Sequence, residues 1–226
     1  MKRAKKQTRN PALTQKRILD AAEAEFAAKG FDGARLGTIA RAAGVQQALI
    51  HHYFDDKARL YREVIDRALS GMTTEGWDIL ARTVRSVSAH GGTRWTEADL
   101  RPLVSAFVEL LQRFFTAHRA MLAIVQGETR GAQKTKNNVA LELVRLRVKP
   151  VADATTAYVD ALRASGEIRS DVDPQKLCTS AISMVAFPLL ESSFVSAVWP
   201  VDPSNKRWLD AQREDIVETL VRRILP

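Results

Sequence analysis

At 226 residues the chain has room for one or two domains and a sizeable core. Its single cysteine, Cys178, rules out an intrachain disulfide framework and a cysteine-rich zinc site, and its longest uncharged run, residues 177 to 190, is too short at 14 residues for a spanning helix, so no membrane partner is expected. The net charge of +8 is concentrated: residues 1 to 60 hold 12 Lys and Arg against 6 Asp and Glu, while the remainder is close to neutral, the balance of a basic module joined to a body with another task.

Residues 1–12 read as a flexible basic arm. Lys2, Arg3, Lys5, Lys6 and Arg9 precede Pro11 with no acidic residue among them, which suits phosphate contacts. No apolar run follows, so no signal peptide is expected and the protein is placed in the cytoplasm. From about Thr14 a first helix carries Ile18, Leu19, Ala21, Ala22 and Phe26, and Gly30-Phe31 ends it. Leu36, Ile39, Ala40 and Ala43 then fall at i, i+3, i+4 and i+7, one apolar face of a short helix. Gly44, free to take positive φ, closes that helix in a tight turn. Val45, Ile50 and Phe54 return to the shared core. Gln46, Gln47, Ala48, Leu49, His51 and His52 are left as an outward row of donors, acceptors and small apolar groups, a mixture that suits base edges and thymine methyls. Residues 36 to 57 therefore read as a helix-turn-helix.

The segment from Thr14 to Leu60 resembles the DNA-binding domain of TetR-family transcriptional regulators. The landmarks are the first-helix pattern, Gly30-Phe31, Ile39-Ala40, Ala43-Gly44-Val45, Tyr53-Phe54 and Lys57. The resemblance implies an all-α protein: a three-helix DNA-binding domain over 13–56 and a helical effector-binding and dimerisation domain over 57–226. It implies that residues 46 to 53 form the recognition helix, with Gln47, Leu49, His51 and His52 facing the groove. Tyr53, Lys57 and the start of the helix at Leu36 would meet phosphates. Two departures stand out. Ala34 and Arg35 occupy the place of a capping hydroxyl, and Gly37 that of a base-reading arginine, so Arg35 and Thr38 are the substitutes expected there.

Beyond residue 57 the pattern stays helical. Asp56 can cap a helix whose Leu60, Tyr61, Val64, Ile65, Ala68 and Leu69 form a wide apolar arc before Gly71, packing on module and body alike. Further helices are predicted at about 74–89, 97–117, 119–130 and 135–165, with breaks at Gly91-Gly92-Thr93, His118 and Gly131. Pro150 should kink or split the last of them. Asp173 with Pro174 can start a helix over about 174–198 that is apolar almost all round, and a final one spans about 206–224.

The resemblance implies that these last two helices pair with the same two of a second subunit. Leu177, Ala181, Met184, Val185, Pro188, Leu189, Ile216, Leu220 and Ile224 are the expected interface of this homodimer. A small-molecule effector would bind among Trp77, Trp95, Phe107, Phe114, Phe115 and Met121, with Trp199 a further candidate. Arg94, Arg119, Arg130 or Arg145 would meet an anionic one. No cofactor is expected. His51 and His52 point about 100° apart on a helix and lack a third ligand, so they do not form a metal site. Asp55-Asp56 is followed by Arg59 where a prenyl-transfer motif needs a third aspartate, and no nucleophile-elbow, P-loop or dinucleotide fingerprint occurs. The chain thus reads as a regulator of double-stranded DNA rather than an enzyme, a repressor at a palindromic operator in the first instance. An activator, or a DNA-binding architectural protein without effector control, is the alternative.

Overall fold

The protein is seen in a computed structural model that describes residues 10–90, 95–131 and 138–225. The arm residues Lys2, Arg3, Lys5, Lys6 and Arg9, the Gly91-Gly92-Thr93 break and Arg94 lie outside them. All regular structure among the described residues is helical, and no single helix there is long and apolar enough to cross a membrane.

The first helix, α1 (Pro11–Gly33), starts slightly earlier than its apolar rhythm suggests. Asn10 caps it, its Oδ1 accepting from the Leu13 N–H at 3.3 Å, and Pro11 takes the first position, where a missing N–H costs nothing. At Gly30 the backbone turns to φ 66°, which swings Phe31 back over the helix. The Phe31 ring lies 6.4 Å from Phe26 and 5.0 Å from Tyr61, and Phe26 meets Tyr61 edge-on at 4.9 Å. Two short helices follow, α2 (Leu36–Ala43) and α3 (Gln47–Phe54). Ile18, Ala22, Phe26, Ile39, Ala40, Ala43, Ile50 and Phe54 are all buried, giving the module an apolar centre that runs on into the core of α4 and the body.

The fourth helix, α4 (Lys57–His90), corrects the sequence reading, which ended one helix at Gly71 and began another near residue 74. A glycine inside a helix costs about 1 kcal/mol, too little to stop one whose flanks are packed. Leu60, Tyr61, Val64, Ile65, Ala68 and Leu69 are all buried, and α4 packs on α1 at one end and on the body at the other. The next two helices, α5 (Glu97–Ala117) and α6 (Arg119–Gly131), fall where predicted. Thr96 and Asp99 form a capping box at the first, and α6 lies along α1.

Pro150 does split the expected 135–165 helix, and the way it does so matters. After α7 (Val139–Leu143) the chain widens into a π-helical turn, Val144–Val148, before α8 (Lys149–Ala164) resumes with Pro150 in its first turn. A proline cannot bond the carbonyl four residues back and collides with it; the wider turn removes the conflict. The turn also sets a register. Residues five apart point about 140° away from each other in an α-helix, but turn closer to one side where bonding widens to i to i+5. Glu142 and Arg147 are five apart, and on α4 Arg62 and Asp66 are four apart. They meet as two crossed pairs: Arg62 Nη2 to Glu142 Oε1 at 2.6 Å and Nη1 to Oε2 at 3.1 Å, Arg147 Nε to Asp66 Oδ1 at 2.6 Å and Nη2 to Oδ2 at 2.9 Å.

The expected single helix over 174–198 is two, α9 (Pro174–Leu190) and α10 (Ser192–Val198), bent by 79°. Asp173 caps α9 as predicted, accepting from the Lys176 N–H at 3.0 Å. Pro188 leaves the Met184 carbonyl without its helical donor, and the Gln212 amide supplies one at 2.9 Å. Gln212 belongs to the last helix, α11 (Lys206–Ile224), which matches its predicted limits and packs with α9 against α5.

Candidate nucleic-acid interface

The turn between α2 and α3 is built by Gly44 at φ 63°, ψ 40°. Its N–H reaches the Arg41 carbonyl at 3.1 Å and the next N–H, of Val45, reaches Ala40 at 2.9 Å, the paired closure of a left-handed helix end. Arg17 of α1 braces this turn from outside, donating to the Gly44 carbonyl at 3.2 Å. Sequence reasoning missed Arg17. The available signal was a cation one residue before the buried Ile18, on the helix that backs the turn.

From this frame α3 buries Ile50 and Phe54 and exposes Gln46, Gln47, Ala48, His51 and His52, while Leu49 and Tyr53 are half-buried. The expected outward row is therefore together on one side. Gln47 lies back over α2: a Cβ added at Gly37 would stand 3.4 Å from its Oε1, so the absent side chain at Gly37 makes room for the glutamine. His52 and Tyr53 rings meet at 5.2 Å. At the start of α2, Arg35 stands at the cap position without a side-chain cap bond, its N–H donating instead to Glu25 Oε1 at 3.2 Å, and it is exposed; Thr38 is half-buried. Lys57 donates to the Asp32 carbonyl at 3.2 Å and sits 4.8 Å over the Phe31 ring, which anchors the ammonium beside α3 and leaves it further N–H groups to give.

Helix α3 ends abruptly. Asp55 takes φ 58°, ψ −65°, the one positive φ among described residues other than glycine. The Asp56 N–H closes onto the Phe54 carbonyl at 2.6 Å, and the Asp55 carbonyl comes within 2.8 Å of His51 Nδ1. Asp56 Oδ1 then accepts from the Arg59 N–H at 2.7 Å and starts α4. This turn was not legible from the Asp55-Asp56 pair alone.

At the other end of the module, Arg67 of α4 holds Asp20 at 2.8 Å and Glu23 at 2.9 Å on α1. His118, between α5 and α6, lies beside this pair. Burial pushes its imidazole below the ordinary histidine range, with Glu23 acting upward and Arg67 downward in smaller measure.

The body distributes the six expected effector contacts. Phe114 and Phe115 are buried with ring centres 5.6 Å apart, Met121 is fully buried near them, and Phe107 is half-buried against the same core. Trp95 is buried in the same continuous core, its Nε1 donating to Glu167 Oε2 at 3.0 Å, while Trp77 and Trp199 are exposed. Of the candidate cations, Arg119 is half-buried, Arg145 is exposed, and the Arg130 side chain lies outside the described residues. A groove of about 1030 Å³ opens instead on α9 and α11, lined by Leu177, Ser180, Ser183, Met184, Leu220 and Arg223 among others. Of the expected interface, Ala181, Val185, Leu189, Ile216, Leu220 and Ile224 are buried within the single chain, and Leu177, Met184 and Pro188 are half-buried. The apolar side chains that α9 and α10 leave exposed are Ile182, Phe187, Phe194 and Val198, with Trp199 just beyond.

Comparison with known proteins fits this geometry. Residues 18–64 match the bacterial regulatory proteins of the tetR family, and residues 101–220 match the tetracyclin repressor-like C-terminal domain. The HTH-type transcriptional repressor SCO4008 of Streptomyces coelicolor is 39% identical over 61 residues, 27% of this chain and 32% of that protein, so the chain spans about a third of that relative's length. The TetR-family regulator PfmR of Thermus thermophilus has the same fold, with a TM-score of 0.61 at 20% identity over 91% of this chain and 94% of that one. So has the regulator FadR of Bacillus subtilis in complex with stearoyl-CoA, with a TM-score of 0.55 at 17% identity over 91% and 97% of the two chains. With a helix-turn-helix at one end and a repressor-like helical domain covering more than half its length, the chain belongs to the TetR family of bacterial transcriptional regulators.

Proposed function

We propose that the protein is a homodimeric repressor that holds a palindromic operator with two copies of α3 and releases it when a small molecule enters the body. The observation that carries the reading is the exposed row Gln46, Gln47, Ala48, His51 and His52, presented by a helix whose opposite side is locked into the module's apolar centre. Glutamine can hold adenine through N6 and N7, and Leu49 can cover a thymine methyl. Arg35, Thr38, Tyr53 and Lys57 flank the row as phosphate contacts. Twofold symmetry would set the two helices in successive major grooves, roughly 34 to 36 Å apart. A protein with such a DNA partner would work in the cytoplasm.

Dimerisation is supported by the apolar side chains left on α9 and α10 and by the groove beside them, which a second subunit would cover. Stable interfaces of this kind bury more than roughly 2,000 Å². Ile182, Phe187 and Phe194 join Leu177, Met184 and Pro188 as its first contacts, with the buried residues of α9 and α11 backing them. Effector control draws support from the fold shared with FadR, which holds stearoyl-CoA.

A mobility-shift titration on the chain's own upstream DNA tests the reading. A dimer should bind one palindrome, with log K falling by about 0.9 per neutralised phosphate per log unit of salt. Alanine at Gln47 and Tyr53 in a still-folded dimer should abolish the shift; undiminished affinity would overturn the assignment. A metabolite that raises the melting temperature by mass action and releases the operator identifies the effector, and its absence from a broad library favours a regulator without one.

A further inference from the structure

We propose that His51 reads the amino edge of one base pair in each operator half-site, favouring adenine or cytosine over guanine or thymine on the strand it faces. This rests on the DNA-reading function above and adds the chemistry of a single contact.

The partner of His51 Nδ1 is the Asp55 backbone carbonyl, 2.8 Å away. A carbonyl oxygen carries no proton, so the contact is a hydrogen bond only if Nδ1 donates. A neutral imidazole has one N–H. With it committed at Nδ1, Nε2 is a bare lone pair. The turn after α3 makes the carbonyl available. In a continuing helix the Asp55 C=O would point onward along the axis, whereas φ 58° with ψ −65° folds residues 54 to 56 into a three-residue turn that brings it back toward His51. The Asp55 N–H already bonds the His51 carbonyl at 3.0 Å, and the Asp55 carboxylate pairs with Arg59. The backbone bond holds the turn and the Nδ1 bond holds the ring, so the imidazole is oriented before any DNA arrives. The ring is exposed, one helical turn after Gln47 on the outward row, and Nε2 lies across Cε1 from the tied nitrogen.

In the major groove each base pair shows one exocyclic amino group and one keto oxygen: N6 of adenine opposite O4 of thymine, N4 of cytosine opposite O6 of guanine. A lone acceptor bonds the amino group and faces only lone pairs at the keto group. It therefore reads which strand carries the amino group, and it does not separate an A·T pair from a C·G pair. Glutamine, which holds both a donor and an acceptor, cannot impose that rule, so the predicted signature belongs to the histidine.

The test is selection from a randomised operator library with the full-length dimer, comparing the wild type with His51→Asn and His51→Gln. Asparagine puts its amide nitrogen where Nδ1 stands and carries nothing at the place of Nε2; glutamine puts an amide there that can turn either way. For the wild type one position per half-site should favour A or C over G or T by about five- to tenfold, the worth of one hydrogen bond. His51→Asn should level that position and leave the base preferences elsewhere unchanged, and His51→Gln should readmit G and T. An enriched library with no amino preference erased by His51→Asn overturns the inference. So does a uniform loss of affinity across all sequences, which is the mark of a phosphate contact. A wild-type library with nothing enriched overturns the DNA-reading function, and this inference with it.

Discussion

Within α1–α3 the helices meet through side chains sealed from water, Phe26, Ile39, Ile50 and Phe54 among them, whereas between α4 and the α7 and π-turn segment two charged pairs at the surface are added to the buried Ala140 and Leu143. The two kinds of contact behave differently when a helix shifts. An apolar core resists displacement because every lost contact exposes surface, so the module travels as a unit. Exposed ion pairs exchange for water at little cost, so the charged pairs yield more easily than the apolar contacts beside them.

The largest effect expected from breaking this contrast is in the module. Phe26→Ala removes a fully buried ring that touches both Phe31 and Tyr61 and should cost about 3–5 kcal/mol. Operator binding should vanish while size-exclusion chromatography still shows a dimer; retained binding would mean that the module does not depend on its apolar centre. Gly44→Ala comes next, at about 1–2 kcal/mol, because φ 63° is strained for any residue with a Cβ, and chemical denaturation should read it out. Opening the two paired charges should do far less to stability. Arg62→Ala with Arg147→Ala is expected to leave the unfolding midpoint nearly unchanged yet shift the effector concentration needed to release DNA. An unaltered effector response would assign the coupling to α6 on α1 instead.

Acid should act more gently, and at a different contact, where His118 lies beside Arg67 and Glu23. Because burial holds the His118 pKa below its unfolded value, the proton binds the unfolded chain more tightly. The stability involved is complete above about pH 6.5 and declines as pH falls through that value. His118→Phe should flatten that decline in thermal unfolding followed between about pH 7.5 and 5; an unchanged slope would move the effect to another group. The smallest expected change is local. Pro150→Ala permits a regular helix, and amide exchange across residues 144–150 should slow as the π turn tightens. Equally fast exchange would show that the turn is held by the ion pairs rather than by the proline.

What the sequence disclosed follows the same divide. The module was legible because its instructions are local: a four-residue apolar rhythm, a glycine at the left-handed turn, an aspartate before α4. The row Gln46 to His52 followed from the rhythm of its buried neighbours. Gly71 misled because a lone glycine yields to packing on both sides of α4, contacts that come from distant parts of the chain. Pro150 signalled a break but not its form, since the pairs that Glu142 and Arg147 make around the π turn lie with Arg62 and Asp66, some eighty residues earlier. The bend between α9 and α10 was hidden for a similar reason: the carbonyl that Pro188 abandons finds its donor on α11, at Gln212. On α9, apolarity marked the helix as packed but could not separate the side that packs inward, with Ala181, Val185 and Leu189, from the side that shows Ile182 and Phe187.

That α4 is one uninterrupted helix of 34 residues has a mechanical corollary. At about 1.5 Å per residue it is about 51 Å long, a lever with the reading head at one end. A pivot of about 4° at the far end sweeps the head through about 3.5 Å, close to the rise of one base step along a strand. Under the repressor reading proposed above, a molecule wedged into the body would need only to nudge its neighbours by the width of a rotamer change for both heads of a dimer to fall out of phase with the double helix.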